Sequence, residues 1–271
     1  MKRLIFSMYT DNIEEYKTST NDFKRNQFEK YRNLIEKSHK DYALSCKADY
    51  VLLNPREVFY DMLQFEKIYK LEEFCNDYDE VLYLDFDVVP NKNVSFFEKN
   101  DLKEKICCHW IKREFEGLFG SLKELIKIKQ RDYCWGPMEM HVKTCVKKSM
   151  LLLENTKSTD KVVNTGVIGL SKKTAELLRF KERMNHCNEV FRESLIDNLY
   201  PFEIYSNWEP NNEVYFSYLI ERFNIPTQEI GMQWNFMITE EFNEMSDAAY
   251  LIHHVTKEFE KSFGNVESNS G

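Results

Sequence analysis

Two aspartates, one residue apart, close an apolar run in the stretch EVLYLDFDVVP, Glu80 to Pro90. The preceding Val81-Leu82-Tyr83-Leu84 shows no polar alternation, the pattern of a strand covered on both faces. If the strand continues, Asp85 and Asp87 share a face and Phe86 takes the other. Two carboxylates on one face repel, and burying either without a partner is costly. A divalent cation resolves both problems, because hard ions such as Mg²⁺ and Mn²⁺ take carboxylate oxygens. The alternative is a strand end with both carboxylates in water.

A pair of histidines lies far along the chain. His253-His254 sits near the end of the late apolar run Tyr250 to Val255. Adjacent strand residues face opposite sides, so the pair reads by itself as a strand end with one packed and one exposed ring. Other polar residues stand at element ends. Thr10-Asp11-Asn12 follows the first apolar run, and a short polar turn there can offer a carboxylate to ribose or base donors, or simply cap a helix before Glu14. Gly166 interrupts KVVNTGVIGL, which implies either a bulge or close approach of a backbone or ligand.

The elements that must carry these residues are set by periodicity. Leu4 to Met8 reads as a strand. Asp22 to Cys46 reads as a helix with Phe28, Tyr31, Ile35, Tyr42 and Cys46 on one face and His39 packed among them. Asp49 to Leu53 is a second strand, and Val58 to Cys75 a second helix. The aspartate-bearing strand comes third. This βαβαβ alternation predicts an α/β fold with a mostly parallel sheet. Beyond it, Ile106 to Ile111 reads as a strand, Trp135-Gly136-Pro137 as a turn and Val142 to Glu154 as a helix. Lys161 to Leu170 reads as a strand, Thr174 to Leu199 and Asn211 to Phe223 as helices, and Tyr250 to Val255 as a strand.

Four segments together resemble the GT-A-fold glycosyltransferases, in particular the glycogenin-like and lipopolysaccharide-galactosyltransferase-like group. They are LYLDFDVVP, VVNTGVIGL, PNNEVYFSYL and LIHHVT, in that order, and the resemblance runs from Leu4 to Val255. It implies a GT-A, Rossmann-like mixed sheet, mostly parallel and flanked by helices, as a single domain over residues 1–263 with a disordered tail at 264–271. It implies an Asp-x-Asp metal site of Asp85 and Asp87 completed by His253, holding Mn²⁺ or Mg²⁺. It implies that Thr10, Asp11 and Asn12 meet the nucleotide, and that Asn164 and Gly166 lie beside the donor sugar or acceptor. Asn212 and Glu213 would face the reaction centre, with Glu213 the carboxylate near the anomeric carbon, or else an acid favoured by the helix dipole. Trp234 matches a Trp-Asn pair of the group, either lining a sugar or packing in the core. The implied reaction moves a sugar from a nucleoside-diphosphate sugar, a UDP-sugar in the first instance, to a carbohydrate or other hydroxyl acceptor. This chain has Asn212-Glu213 where the group has Asp-Gln, and HHVTKEFEKSF lacks the group's glycine and its Lys-Pro-Trp.

Three other classes compete, of which a metal-dependent phosphohydrolase usually needs more clustered carboxylates. A nucleotidyltransferase making a nucleotide sugar also uses strand-end carboxylates, but FSMYTDNIEEY has none of the glycines of a triphosphate loop. A non-catalytic carbohydrate-binding protein would need no metal pair. Composition narrows the field further. The 271 residues include 37 basic and 45 acidic side chains, for a net charge of −8, which argues against nonspecific nucleic-acid binding. Seven scattered cysteines without a C-x-x-C pair read as reduced thiols, and with no signal peptide or membrane-length apolar run they point to the cytoplasm.

Overall fold

The computed structural model describes residues 1–10, 19–54, 60–111, 135–196, 210–239 and 244–265. The chain forms two compact units. One comprises Met1–His109, Thr165–Ala175 and Thr227–Gly271, the other Trp110–Asn164 and Glu176–Pro226.

The first unit is built on β1 (Arg3–Met8), β2 (Asp49–Leu53), β3 (Glu80–Leu84), β5 (Ile106–Ile111), β6 (Val162–Ser171) and β7 (Thr227–Glu229) in the order β2-β1-β3-β6-β5-β7. β1 runs parallel to both β2 and β3, β5 parallel to β7, and β3 antiparallel to β6. The mixed, mostly parallel α/β sheet expected from the sequence is therefore present. β3 lies inside it, between β1 and β6, and all five of its residues are buried. That is why its sequence shows no alternation: neither face meets water.

Helix α1 (Ser19–Ser45) uses one stripe in two places. Tyr31 and Ile35 pack with Tyr9, Phe86, Val89 and Phe259, while Tyr42, Ala43 and Cys46 pack with Ile5, Leu82 and Leu84. The fully buried aliphatic side chains among them, Ile5, Ile35, Leu82 and Leu84, each contribute roughly 1.5–3 kcal/mol of apolar burial. His39 shares the stripe, as expected, and is fully buried. Helix α2 (Tyr60–Phe74) packs on β1 and β3, with Ile68 and Leu71 buried.

The aspartate strand departs from expectation. It stops at Leu84, and Asp85 to Asp87 form a turn rather than continuing the strand. Val88 N donates to Asp85 O at 2.9 Å, closing the turn, and aspartate is favoured at its first position. Phe86 packs in the aromatic cluster of Tyr9 and Phe28, with ring centroids 4.8 and 6.0 Å away, and that packing favours the turn. After the turn, β4 (Val88–Pro90) leaves the large sheet. It pairs antiparallel with β9 (Leu251–His254), which pairs parallel with β8 (Phe236–Ile238) in a three-stranded sheet. The short α3 (Phe96–Lys99) comes next in the chain and buries Phe96 and Phe97.

In the second unit, α4 (Trp135–Leu153), α6 (Phe180–Ile196) and α7 (Asn212–Arg222) pack on one another. Val146, Met150, Phe180, Phe191, Tyr215 and Phe216 are buried there. The turn expected at Trp135-Gly136-Pro137 is instead the first turn of α4. Proline is tolerated in a first turn, where its missing N–H has no intrahelical partner to lose. The single helix expected over Thr174 to Leu199 is two, α5 (Lys172–Leu178) and α6, broken at Arg179 with φ 45°. Residues 197–199 of that expected helix, and residues 266–271 of the expected tail, lie outside the described residues.

Candidate metal centre

Asp85, Asp87 and His253 come together. Each offers one ligand atom, and these atoms all lie within 4.8 Å of one another. The convergence does not come from strand alternation. The turn after β3 swings Asp87 back toward Asp85, and β9 presents His253 opposite Val88. Two backbone bonds fix the turn from outside: Asp85 N donates to Gly166 O at 2.8 Å, and His254 N donates to Asp87 O at 2.9 Å. Gly166 thus reaches the site through its carbonyl. A close approach that demands a glycine is also seen further along β6, at Gly169, where a Cβ would lie 2.8 Å from the Phe96 ring.

The two carboxylates differ in exposure and in partners. The Asp85 side chain is 27% exposed and the Asp87 side chain 8%. Asp85 Oδ1 accepts from Tyr83 OH at 2.5 Å and from Lys67 Nζ at 3.0 Å. Burial and the adjoining Asp85 carboxylate push the Tyr83 phenol well above its usual range, so it stays a donor. Asp87 Oδ2 meets the Lys257 ammonium and lies 3.3 Å from His253 Nε2. Burial alone would raise the Asp87 pKa, but the charges of Lys257 and His253 outweigh it and hold the carboxyl well below the ordinary range. Lys257 occupies this place from a left-handed backbone, φ 64°, which a non-glycine residue adopts only at a cost.

The histidine is oriented from behind. His253 Nδ1 donates to Asn235 Oδ1 at 3.0 Å, so a neutral ring carries its lone pair on Nε2. That lone pair faces the Asp87 carboxylate oxygen, and two acceptors at 3.3 Å are reconciled by a proton or a cation between them. A second group that fixes the tautomer of a ligating imidazole is the usual outer arrangement of a metal site. Two carboxylates and one imidazole suit Mn²⁺, and Mg²⁺ less well. The residues therefore fit a divalent ion. His254, the neighbour, turns the other way: its Nε2 meets Ser262 Oγ at 2.8 Å and its ring packs 5.2 Å from that of Phe259. Of the two adjacent rings, the one at 253 faces the carboxylates.

The second unit gathers other expected residues. Asn211 caps α7, its side chain accepting from Glu213 N at 2.9 Å and Val214 N at 3.3 Å. Asn212 and Glu213 are buried in the first turn. Glu213 Oε2 accepts from Lys143 Nζ at 2.5 Å, and Oε1 accepts from Asn164 Nδ2 at 3.2 Å. Two of the expected residues, Asn164 and Glu213, thus touch. Trp234 is 2% exposed and packs on Phe96 and Tyr250, ring centroids 5.1 and 4.7 Å away, in the core of the first unit. Its neighbour Asn235 is the member of that pair bonded to a site residue. Thr10 is half-buried at the end of β1, and Asp11 and Asn12 lie outside the described residues.

Sequence reasoning passed over Lys67, Tyr83, Asn235 and Lys143 as site residues. Tyr83 carried a signal, since it stands two residues before Asp85 at the spacing that places side chains on one strand face. Asn235 carried only its place beside Trp234. Lys67 and Lys143 are single lysines on helices, with no local pattern to set them apart.

No family model matches the chain, and no curated protein sequence matches it. Solved structures resemble it at low identity. A glycosyltransferase involved in glycosylation of the major capsid of PBCV-1 is 14% identical with a TM-score of 0.49, covering 94% of this chain and 93% of its own. The galactosyltransferase LgtC is 12% identical with a TM-score of 0.47, covering 93% of this chain and 87% of its own. Mouse xyloside xylosyltransferase 1 is 10% identical with a TM-score of 0.43, covering 94% and 98%. At this level the likeness is one of outline and says nothing of chemistry, which rests on the geometry of the site.

Proposed function

We propose that the chain is a metal-dependent glycosyltransferase that moves a sugar from a nucleoside-diphosphate sugar, a UDP-sugar in the first instance, to a carbohydrate or other hydroxyl acceptor. The observation that carries this reading is the meeting of Asp85, Asp87 and His253 where β3 ends and β9 passes. Ligands of open α/β sheets sit at the carboxyl ends of strands. In this reading the three residues hold Mn²⁺, with Mg²⁺ as the alternative. The ion, when bound, orients the donor diphosphate and stabilises the charge that develops on the leaving nucleoside diphosphate.

The residues of the chain supply the rest. Asn235 holds the His253 tautomer that leaves Nε2 able to ligate. Thr10, Asp11 and Asn12 follow β1 and would meet the nucleotide. Glu213 is the carboxylate proposed for the reaction centre, with Asn212, Asn164 and Gly166 beside the sugars. Its support is the pair of bonds from Lys143 and Asn164, which keep both carboxylate oxygens in place. Residues 1–263 acting as one GT-A-like domain belong to the same proposal. So does work in the cytoplasm, for which the support is the six described cysteines, all buried, with no disulfide joining any two of them. Among the described residues no helix is long and apolar enough to cross a membrane.

The test is thermal stabilisation by UDP, GDP and CTP with and without Mn²⁺, followed by donor hydrolysis with the stabilising nucleotide's sugars. Stabilisation by a diphosphate that needs Mn²⁺ supports the reading. Stabilisation by CTP alone would favour nucleotidyl transfer, and none by any nucleotide would favour a binding protein.

A further inference from the structure

Asp85 has two carboxylate oxygens, and the protein uses one of them itself. Oδ1 accepts from Tyr83 OH at 2.5 Å and from Lys67 Nζ at 3.0 Å. Among the described residues no hydrogen bond goes to Oδ2. The two donors support each other, since Lys67 Nζ also lies 5.1 Å from the centroid of the Tyr83 ring. Neither can easily withdraw. Tyr83 is 3% exposed inside β3, its ring 5.0 Å from that of Phe6, and Lys67 is 7% exposed on α2.

We propose that Tyr83, aided by Lys67, sets the ion preference of the site: by keeping Oδ1 occupied it makes Asp85 a one-oxygen ligand, which favours a small octahedral ion over Ca²⁺. The inference rests on reading Asp85, Asp87 and His253 as a metal centre. The physical ground is coordination number. Ca²⁺ takes six to eight oxygens and often draws both oxygens of a carboxylate, whereas Mg²⁺ and Mn²⁺ keep six ligands in near-octahedral geometry. A two-oxygen clamp from Asp85 would have to break a short phenol bond and an ammonium bond inside a packed sheet. A one-oxygen ligand costs nothing of the kind. The device is simple, because Tyr83 is the last residue but one of β3 and Asp85 the first beyond it, so the phenol reaches the carboxylate across two residues of chain.

The experiment is calorimetric titration of Mn²⁺ and, separately, Ca²⁺ into the wild type, Tyr83→Phe, Lys67→Gln and Asp85→Asn, without nucleotide. The wild type should prefer Mn²⁺ through a site that Asp85→Asn destroys. Tyr83→Phe keeps the buried ring and removes only the hydroxyl, and it should lower the Mn²⁺-to-Ca²⁺ affinity ratio on the order of tenfold, the low end of what outer-shell partners of metal ligands are worth. Lys67→Gln should shift the ratio in the same direction by less. A merely structural role for Tyr83 would weaken both ions alike, and an unchanged ratio overturns the inference while leaving the metal centre standing. If Tyr83→Phe fails to fold, the ratio in Lys67→Gln decides alone. If the wild type binds neither ion, or binds them identically in Asp85→Asn, the metal reading itself fails and this inference falls with it.

Discussion

Asp87 in the first unit and Glu213 in the second are both nearly buried carboxylates, and both meet a lysine. Glu213 is closed: Lys143 neutralises one oxygen and Asn164 donates to the other. Asp87 is not closed in the same way. Its oxygen meets Lys257, but it also faces a histidine nitrogen whose partner nitrogen already donates to Asn235, and a second aspartate stands within ligand distance. One arrangement is complete as protein. The other gathers two carboxylates and an imidazole nitrogen within ligand distance, with Lys67 on one acid and Lys257 on the other. Burial of an acid therefore does not by itself mark a place for an ion; convergence of acceptors does.

The most direct challenge to this contrast is to remove the convergent acids. Asp85→Ala and Asp87→Ala should each abolish Mn²⁺ binding and Mn²⁺-dependent sugar transfer or donor hydrolysis while near-ultraviolet dichroism stays native. Full activity of the wild type after treatment with EDTA would sink the assignment.

The closed carboxylate should respond differently. Lys143→Met takes the ammonium away from the buried Glu213 carboxylate, which costs about 3–5 kcal/mol of stability. Lys143→Met combined with Glu213→Gln removes both charges and should recover most of that loss in urea unfolding. Glu213→Gln alone tests the catalytic role: kcat should fall with little change in donor affinity. A loss of stability with kcat retained would leave Glu213 a structural acid.

How much of this was legible in the sequence depends on which forces act locally. Strands β1, β2, β3, β5, β6 and β9 could be placed as short apolar runs, because nearly all their residues are buried or partly buried, and helix α1 from the period of its buried face. Asp85, Asp87 and His253 were legible as residue types at the ends of apolar runs. The geometry that unites them was not. It depends on Phe86 dropping into a pocket made by Tyr9 and Phe28, and on β4 leaving one sheet for another, both tertiary events with no period in the sequence. Strands β7 and β8, three residues each, are too short to carry a period. Lys143 and Lys67 were hidden for another reason: a single lysine on a helix is read as solvated, and only the fold shows that its ammonium is buried against an acid.

A third prediction concerns the scaffold behind the turn. His39 Nε2 donates to Val88 O at 2.6 Å, and Nδ1 lies 3.0 Å from Ser7 Oγ, so the neutral ring ties α1 to β1 and to the strand after Asp87. Burial lowers its pKa from 6.5 to about 4, only partly opposed by the Val88 carbonyl and the charges of Asp87 and Glu36. In the unfolded chain the ring takes up its proton near pH 6.5, in the folded one only near 4. The unfolded state thus binds more protons between these values. Stability from this group is full above pH 6.5 and falls by about 3 kcal/mol as pH drops to about 4, levelling below. Urea midpoints across this range should show the decline, and His39→Gln should flatten it. An equal slope in the variant would assign the decline to other groups.

The smallest expected effect discriminates most finely, because it asks whether convergence extends to the imidazole. His253 and His254 are adjacent on β9, and their rings part company: Nε2 of the first lies 3.3 Å from Asp87 Oδ2, Nε2 of the second 2.8 Å from Ser262 Oγ. His253→Ala removes one of three ligands and should weaken Mn²⁺ binding at least as much as loss of an outer-shell partner does, about 10- to 100-fold or some 1.4–2.7 kcal/mol. UDP binding in the presence of Mn²⁺ should weaken with it, since the ion would join protein to diphosphate. His254→Ala removes a packed ring against Phe259 and should cost stability while leaving Mn²⁺ affinity nearly unchanged. Asn235→Ala forms the third arm. It leaves every ligand in place but frees the His253 ring to turn and change tautomer, so it should follow His253→Ala in direction at a smaller size. Calorimetric Mn²⁺ affinity with UDP present reads all three. If His254→Ala is the variant that loses the ion, the face assigned to β9 is wrong. If neither histidine matters, the ion rests on carboxylates, phosphate oxygens and water, and Mg²⁺ becomes as good an occupant as Mn²⁺.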